Sequence, residues 1–252
     1  ERLRLSVQNV QNDIGSLKQS VRPVRGFIPA INLDWATTLD ALDGAAELLA
    51  AVQDILTGIE PALFYMVNGQ PEDAIVTQIS SGERIVELME IGQVRFVQAS
   101  EHLESAQTLL ANLDLADISQ DLTLQVQQIE NYYEQILEIN TVMLNAPDLL
   151  TEILGLDEVQ RYLILAQNSD ELRPSGGYVS TYGWMTVRNG RIVDYDYYAT
   201  TTETPSPPTQ DVSELVTIPD WWIQYRQPIY AMWDGSWYAD FPQTADMARR
   251  YY

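Results

Sequence analysis

Few residues in this chain could make or break bonds, and their spacing narrows the choice. The one histidine, His102, lies in EHLESAQ between Glu101 and Glu104. It could serve as a base, but no nucleophile is placed beside it, so a surface histidine near carboxylates is the expectation. Glu130, Glu134 and Glu138 fall at i, i+4 and i+8, on one face of a helix. Carboxylates so spaced contribute to di-metal sites in four-helix bundles, yet those sites also use Glu-x-x-His, which does not occur here. Zero cysteines exclude disulfides, thiolate zinc sites and a cysteine nucleophile, and a single histidine excludes a multi-histidine metal centre. No nucleophile elbow, Walker loop or dinucleotide fingerprint is present. What remains is Leu172-Arg173-Pro174-Ser175-Gly176-Gly177. Its glycines permit positive φ and close backbone approach. Arg173 in such a turn could pair with Asp170 or Glu171, or cap carbonyls of the turn.

The elements that must position these residues change character near Gly155. Residues 1–155 read as a helical stalk or bundle, and residues 156–252 as a small head containing a sheet. Leu3, Val7, Val10, Ile14, Leu17 and Val21 are spaced 4, 3, 4, 3, 4, a heptad seam. Pro23, Gly26 and Pro29 end it. A second helix is expected from Asp34, as its cap, to Val67, with Pro61 kinking or dividing it. A third should run from Glu72 to Asn112 with Ile75, Ile79, Ile85, Leu88 or Met89, Phe96, Leu103 and Leu110 inside. Gly82 and Gly92 would soften it by roughly 1 kcal/mol each relative to Ala. A fourth spans Ser119–Asn145, and Pro147–Leu154 makes a short closing helix ending at Gly155. The long helices and short connections predict an elongated bundle.

In the head, Tyr162–Ala166 is a short apolar run, as in a strand buried on both faces. Tyr178–Arg188 reads as a second strand, Asn189-Gly190 as a hairpin turn, and Ile192–Tyr198 as the returning strand. Ala199–Pro219 is Thr/Pro-rich and too polar to pack. Trp221, Trp222, Tyr225, Tyr230, Trp233, Trp237 and Tyr238 follow closely. Aromatics this dense cover a sheet, form a partner contact or stack on sugar rings. The fold class is therefore α+β or α/β.

The 252 residues carry 14 Lys and Arg against 36 Asp and Glu, a net charge of −22. Such a field repels phosphate backbones and anionic lipid surfaces, which argues against nucleic-acid binding. No run of about 18 apolar residues is present, so no segment is expected to span a membrane. The first residue is Glu1 and the last residues read as a helix, so a piece of a longer polypeptide is expected.

Two stretches resemble a bacterial family, the domain of unknown function 4012. The first is LLTEILGLDEVQRYLILAQNSDELRPSGGYVSTYGWMTVRNGRI, and the second is Asp234-Gly235-Ser236-Trp237-Tyr238-Ala239-Asp240-Phe241-Pro242. The likeness covers about residues 148–252. It implies an extracytoplasmic envelope protein, usually anchored by a transmembrane helix upstream. That family is in turn distantly similar to the LytR-CpsA-Psr enzymes, which transfer glycans from polyprenyl pyrophosphate. In that reading Arg173 with Gly176 and Gly177 would bind the pyrophosphate, and Asp170 and Asp234 would hold Mg²⁺. The chain departs from the family pattern in having Trp233, where arginine is usual before Asp234.

The expectation that needs no missing residue is a structural or accessory subunit of the cell envelope, without a cofactor. It would act through protein contacts or self-assembly at Leu3, Val7, Val10, Ile14, Leu17, Trp221, Trp222, Trp233 and Trp237. The alternatives are the phosphotransferase just described, or a degenerate relative of it, and a carbohydrate-binding module using the aromatic cluster.

Overall fold

A computed structural model describes residues 2–28, 32–69, 79–116, 118–203 and 232–252. The chain is α+β and divides into two compact units, Glu1–Ile153 and Leu154–Tyr252.

Among the described residues, the N-terminal unit holds four α-helices. Helix α1 spans Arg2–Val21, and a 3-10 turn follows at Arg25–Phe27. Helix α2 spans Leu33–Asn68, α3 Ser81–Ala111 and α4 Gln120–Ile153. The cap of α2 is Asn32, whose side chain accepts from the Trp35 N–H, and not Asp34. Asp34 sits inside the first turn, and its carboxylate accepts from the Ser119 N–H at 2.9 Å. Helix α3 begins at a capping box: Ser80 Oγ accepts from Glu83 N, and the Glu83 carboxylate accepts from Ser80 N. This closes off two otherwise unpaired N–H groups and sets the start at Ser81. Ile75 and most of the earlier start expected for this helix lie outside the described residues, and Ile79 is exposed ahead of the box. The expectations that Pro61 divides its helix and that Pro147 opens a separate one need correction. Helix α2 runs through Pro61, and α4 runs through Pro147 as one element with no separate closing helix. Against the expectation that no segment could span a membrane, helix α2 is long and apolar enough to do so by length and composition alone, a property that buried core helices share.

The core of this unit is the meeting of α2, α3 and α4. Leu48, Ala51 and Ile55 pack with Ala99, Leu103 and Ala106, and Ile129, Tyr133, Ile136 and Met143 of α4 lie against them. Phe96 is fully buried, a gain of roughly 1.5–3 kcal/mol over an exposed ring. The two helices approach closely where Gly58 faces Gly92. A Cβ on Gly92 would strike the Gly58 carbonyl, and one on Gly58 would lie 2.6 Å from the Phe96 ring. Gly92 is therefore a contact residue and not merely a soft spot in α3. Asn140 is buried between α3 and α4, where its side-chain amide donates to the Phe96 carbonyl at 3.0 Å and to Ser100 Oγ at 2.8 Å.

The C-terminal unit holds a three-stranded antiparallel sheet of order β1-β2-β3, with β1 Gln160–Asn168, β2 Tyr178–Arg188 and β3 Arg191–Ala199. The β2–β3 turn has Asn189 at φ 50° and Gly190 at φ 67°. These are the two positive φ angles that the twist of a two-residue hairpin requires. The Asn189 and Gly190 N–H groups donate to the Gly155 and Leu154 carbonyls, both at 2.8 Å. Strand β1 is an edge strand of half-buried and exposed residues, not one buried on both faces. A short helix α5 at Thr200–Glu203 follows β3. A 3-10 turn at Met232–Trp237 and helix α6 at Phe241–Tyr251 then cover one end of the sheet. There Val179, Met232, Met247 and Ala248 form the core, with Leu163 and Leu165 against it, and Tyr182 stacks on Tyr252 at 3.5 Å between centroids.

Candidate functional site

The glycine turn between β1 and β2 is closed by side chains from two directions. Gln167, at the end of β1, donates through Nε2 to Ser175 Oγ at 2.8 Å and to the Gly177 carbonyl at 3.3 Å. Ser175 donates from both its N–H and its hydroxyl to the Ser236 carbonyl, at 3.2 and 3.1 Å. Gly176 lies at φ 113°, a region L side chains avoid, and its N–H donates to the Arg173 carbonyl at 3.0 Å. Gly177 is buried so tightly that a Cβ would lie 2.6 Å from the Asn168 carbonyl oxygen. The two glycines are thus demanded by packing and backbone angle, and the Ser175 and Gly176 N–H groups are engaged within the turn and its cover.

Arg173 emerges half-buried from this turn. Its guanidinium carbon lies 4.4 Å from the centroid of Trp237 and 5.2 Å from that of Tyr178. The cation rests on the faces of two rings. The carboxylates expected to pair with it take no part: among the described residues Arg173 forms no ion pair with Asp170 or Glu171, both of which are exposed. The Trp237 contact ties the turn to the 3-10 turn at Met232–Trp237. That turn is held in its own right, since Ser236 Oγ donates to the Trp233 carbonyl at 2.7 Å and buried Thr244 donates to the Gly235 carbonyl at 2.8 Å.

The two proposed cation ligands have different settings. Asp170 is exposed in the turn after β1, with its N–H on Asn168 Oδ1 at 3.1 Å. Asp234 is half-buried beside Tyr251. Burial, and then the negative charge of Asp234, push the Tyr251 phenol above its ordinary range, so it stays protonated throughout the physiological range. Burial also pushes Tyr238 up. No group of three or more His, Asp or Glu side chains able to hold a metal forms among the described residues.

The other sequence candidates lie in the helical unit. His102 reaches across to α2, with Nδ1 2.7 Å from the Glu47 carboxylate and Nε2 3.7 Å from that of Asp54. Its carboxylate neighbours therefore come from the facing helix and not from Glu101 and Glu104. Arg95 also binds Asp54, at 3.2 Å. Glu130, Glu134 and Glu138 are exposed on α4, and the first two border a depression of about 240 Å³ with Gln107 and Tyr133.

Of the interface candidates, the heptad seam of α1 is split. The residues of α1 that are withdrawn from solvent are Arg4, Val7, Gln11, Ile14, Lys18 and Val21, so one apolar row of the seam packs within the unit. The other row, Leu3, Val10 and Leu17, is 61, 46 and 43% exposed. Trp233 and Trp237 are half-buried in the 3-10 turn, while Trp221 and Trp222, with Tyr225 and Tyr230, lie outside the described residues. Reading of the sequence missed the exposure of β3, all nine of whose residues face solvent. Its signal was the single free edge left to the last strand of a meander.

Residues 157–252 match the model of a family described as a protein of unknown function, DUF4012. Neither the curated proteins nor the solved structures include a match to the chain.

Proposed function

With residues 157–252 belonging to the DUF4012 family, we propose that the chain is a structural or accessory subunit of the cell envelope, extracytoplasmic and membrane-attached, working through protein contacts. The observation that carries this reading is the exposed row Leu3, Val10 and Leu17 on α1. Seven-residue spacing puts three large apolar side chains in line along a helix whose adjacent row, Val7, Ile14 and Val21, is the one withdrawn into the unit. Exposed apolar rows of this kind mark association surfaces. Trp237 serves the same reading differently. Its ring lies under Arg173, which ties the glycine turn to the 3-10 turn and presents the two together.

The test is the native mass of the protein gently extracted from its own membranes, compared with a variant carrying Leu3→Glu, Val10→Glu and Leu17→Glu. All three side chains are exposed, so folding should survive. The expected outcome is a large assembly that dissociates in the variant; an assembly of unchanged size would remove this row from the interface.

A second reading draws on one observation. The half-buried Arg173 guanidinium has no carboxylate partner among the described residues, which leaves its edge N–H groups open to an anion. In this reading the chain handles polyprenyl-pyrophosphate-linked glycan with Mg²⁺ and Asp170 or Asp234. Arg173→Ala should then abolish binding of a polyprenyl pyrophosphate by the full-length protein, and retained binding would exclude Arg173 from the site.

A further inference from the structure

Strand β3 has an unusual setting. Every residue from Arg191 to Ala199 is exposed, with Ile192 at 60%, Tyr195 at 64% and Tyr197 at 53%. Among the described residues it pairs with β2 alone. Its outer edge therefore presents a row of backbone N–H and C=O groups for which another strand is the natural partner. Its sequence, RIVDYDYYA, is rich in β-branched and aromatic residues and has neither proline nor lysine, two of the devices that usually blunt an edge.

The register sorts the side chains by face. Asp194 stands opposite Thr186 and Asp196 opposite Trp184, which puts the two carboxylates on one face. Tyr195 stands opposite Met185 and Tyr197 opposite Gly183, on the other. Tyr197 lies over the glycine closely enough that a Cβ there would sit 2.5 Å from its ring. A strand laid beside β3 would meet carboxylates at alternate positions on one face and tyrosines on the other.

This arrangement chooses among occupants. A two-fold pairing of β3 with a second copy keeps like faces together. Registers centred on Asp194, Tyr195 or Asp196 then set aspartate against aspartate, and like charges directly opposite are destabilising. The same aspartates favour Lys or Arg, and the net charge of −22 draws a basic segment in. We infer that β3 is the docking edge for an extended segment of a partner polypeptide in which Lys or Arg alternates with apolar residues, added as a fourth strand. The inference rests on the reading of the chain as a subunit acting through protein contacts, and it specifies the chemistry of one partner.

The test is calorimetric titration of the full chain with a synthetic peptide the length of β3 that alternates lysine and valine. Two further versions are each N-methylated on one alternate set of residues. Charge and side chains are unchanged in both, but only one set of N–H groups can face β3. Strand addition predicts saturable binding of the parent peptide and a loss of about tenfold or more in one methylated version only. Absence of parent binding, or equal binding by all three peptides, overturns the proposal, the latter because charge alone would then suffice. Asp194→Lys with Asp196→Lys should switch preference to a peptide alternating glutamate and valine, and an unchanged preference places the peptide elsewhere and overturns it too. Should that variant misfold, the methylation comparison on the unaltered protein decides. The two readings fail separately. A monomeric native mass with peptide binding intact removes the assembled subunit and keeps the β3 edge, while an assembly that binds no peptide does the reverse.

Discussion

Arg173 lies 4.4 Å from the Trp237 centroid and 5.2 Å from that of Tyr178, so replacing it tests packing as well as charge. Arg173→Ala should lower the stability of the C-terminal unit by about 1–2 kcal/mol. Arg173→Lys should recover part of that, because lysine keeps a cation near the rings but loses the planar stack. Urea unfolding of the two variants checks this, and equal losses would count against stacking. The helical unit carries a separate residue-scale prediction at Asp43, which Lys18 and Arg25 each approach to 2.5 Å. Burial pushes this carboxyl up, but hydrogen bonds from Arg25 and Lys18 more than offset it, and it titrates below the usual carboxylate range. A folded value below the unfolded value of about 3.9 stabilises the protein above that pH, and the contribution is lost as pH falls through the folded value. Asp43→Asn should therefore narrow the gap between urea midpoints measured near pH 7 and near pH 3. The tight turn that holds Arg173 was legible from its paired glycines. The partners of Arg173 were not, because Trp237 arrives from a distant stretch of chain and local sequence offers Asp170 and Glu171 instead.

Helix α3 shows how packing overrides propensity at the scale of an element. Propensity alone says that Gly92→Ala should stabilise an interior helical position by roughly 1 kcal/mol. Against this stands a Cβ driven into the Gly58 carbonyl, a backbone group that cannot swing aside. Overpacking of a close contact typically costs about 1–3 kcal/mol, so the net effect should be destabilisation. Thermal unfolding checks the sign, and a raised midpoint would mean that α2 and α3 can move apart freely. The same distinction explains which elements the sequence foretold. Apolar spacing alone named Phe96, Leu103 and Leu110, all buried. The β2–β3 hairpin followed from Asn189-Gly190, since few other dipeptides supply two positive φ angles. Pro61 does not divide α2 and Pro147 does not end α4, because the loss of one N–H is tolerable within helices of 36 and 34 residues that are fastened to neighbours along their length. The Ser80–Glu83 box was written in the sequence and outweighed by the apolar pattern before it.

For the molecule as a whole, charge and apolar contact oppose each other. Two copies each carrying −22 repel, and screening shortens that repulsion to about 10 Å at 0.1 M salt. Assembly through Leu3, Val10 and Leu17 should accordingly strengthen as salt is added, whereas the basic peptide should leave β3 under the same change. Following native mass and peptide affinity across one salt series separates the two surfaces. The change from helix to sheet near Gly155 was legible, because apolar residues at 3 and 4 spacing give way there to a short continuous apolar run and an Asn-Gly hairpin. Exposure was not. Whether an apolar row or a strand edge is covered depends on what the rest of the chain brings to it, and periodicity carries no information about that. One hydrogen-bond pair gives the sheet a mechanical character. The β2–β3 turn is pinned by the Leu154 and Gly155 carbonyls, the first residues of the chain after α4. Tension applied to the β2–β3 hairpin would thus reach Leu154 and Gly155, at the start of the C-terminal unit, through two short bonds, without first stretching β1 or unzipping the sheet along its length.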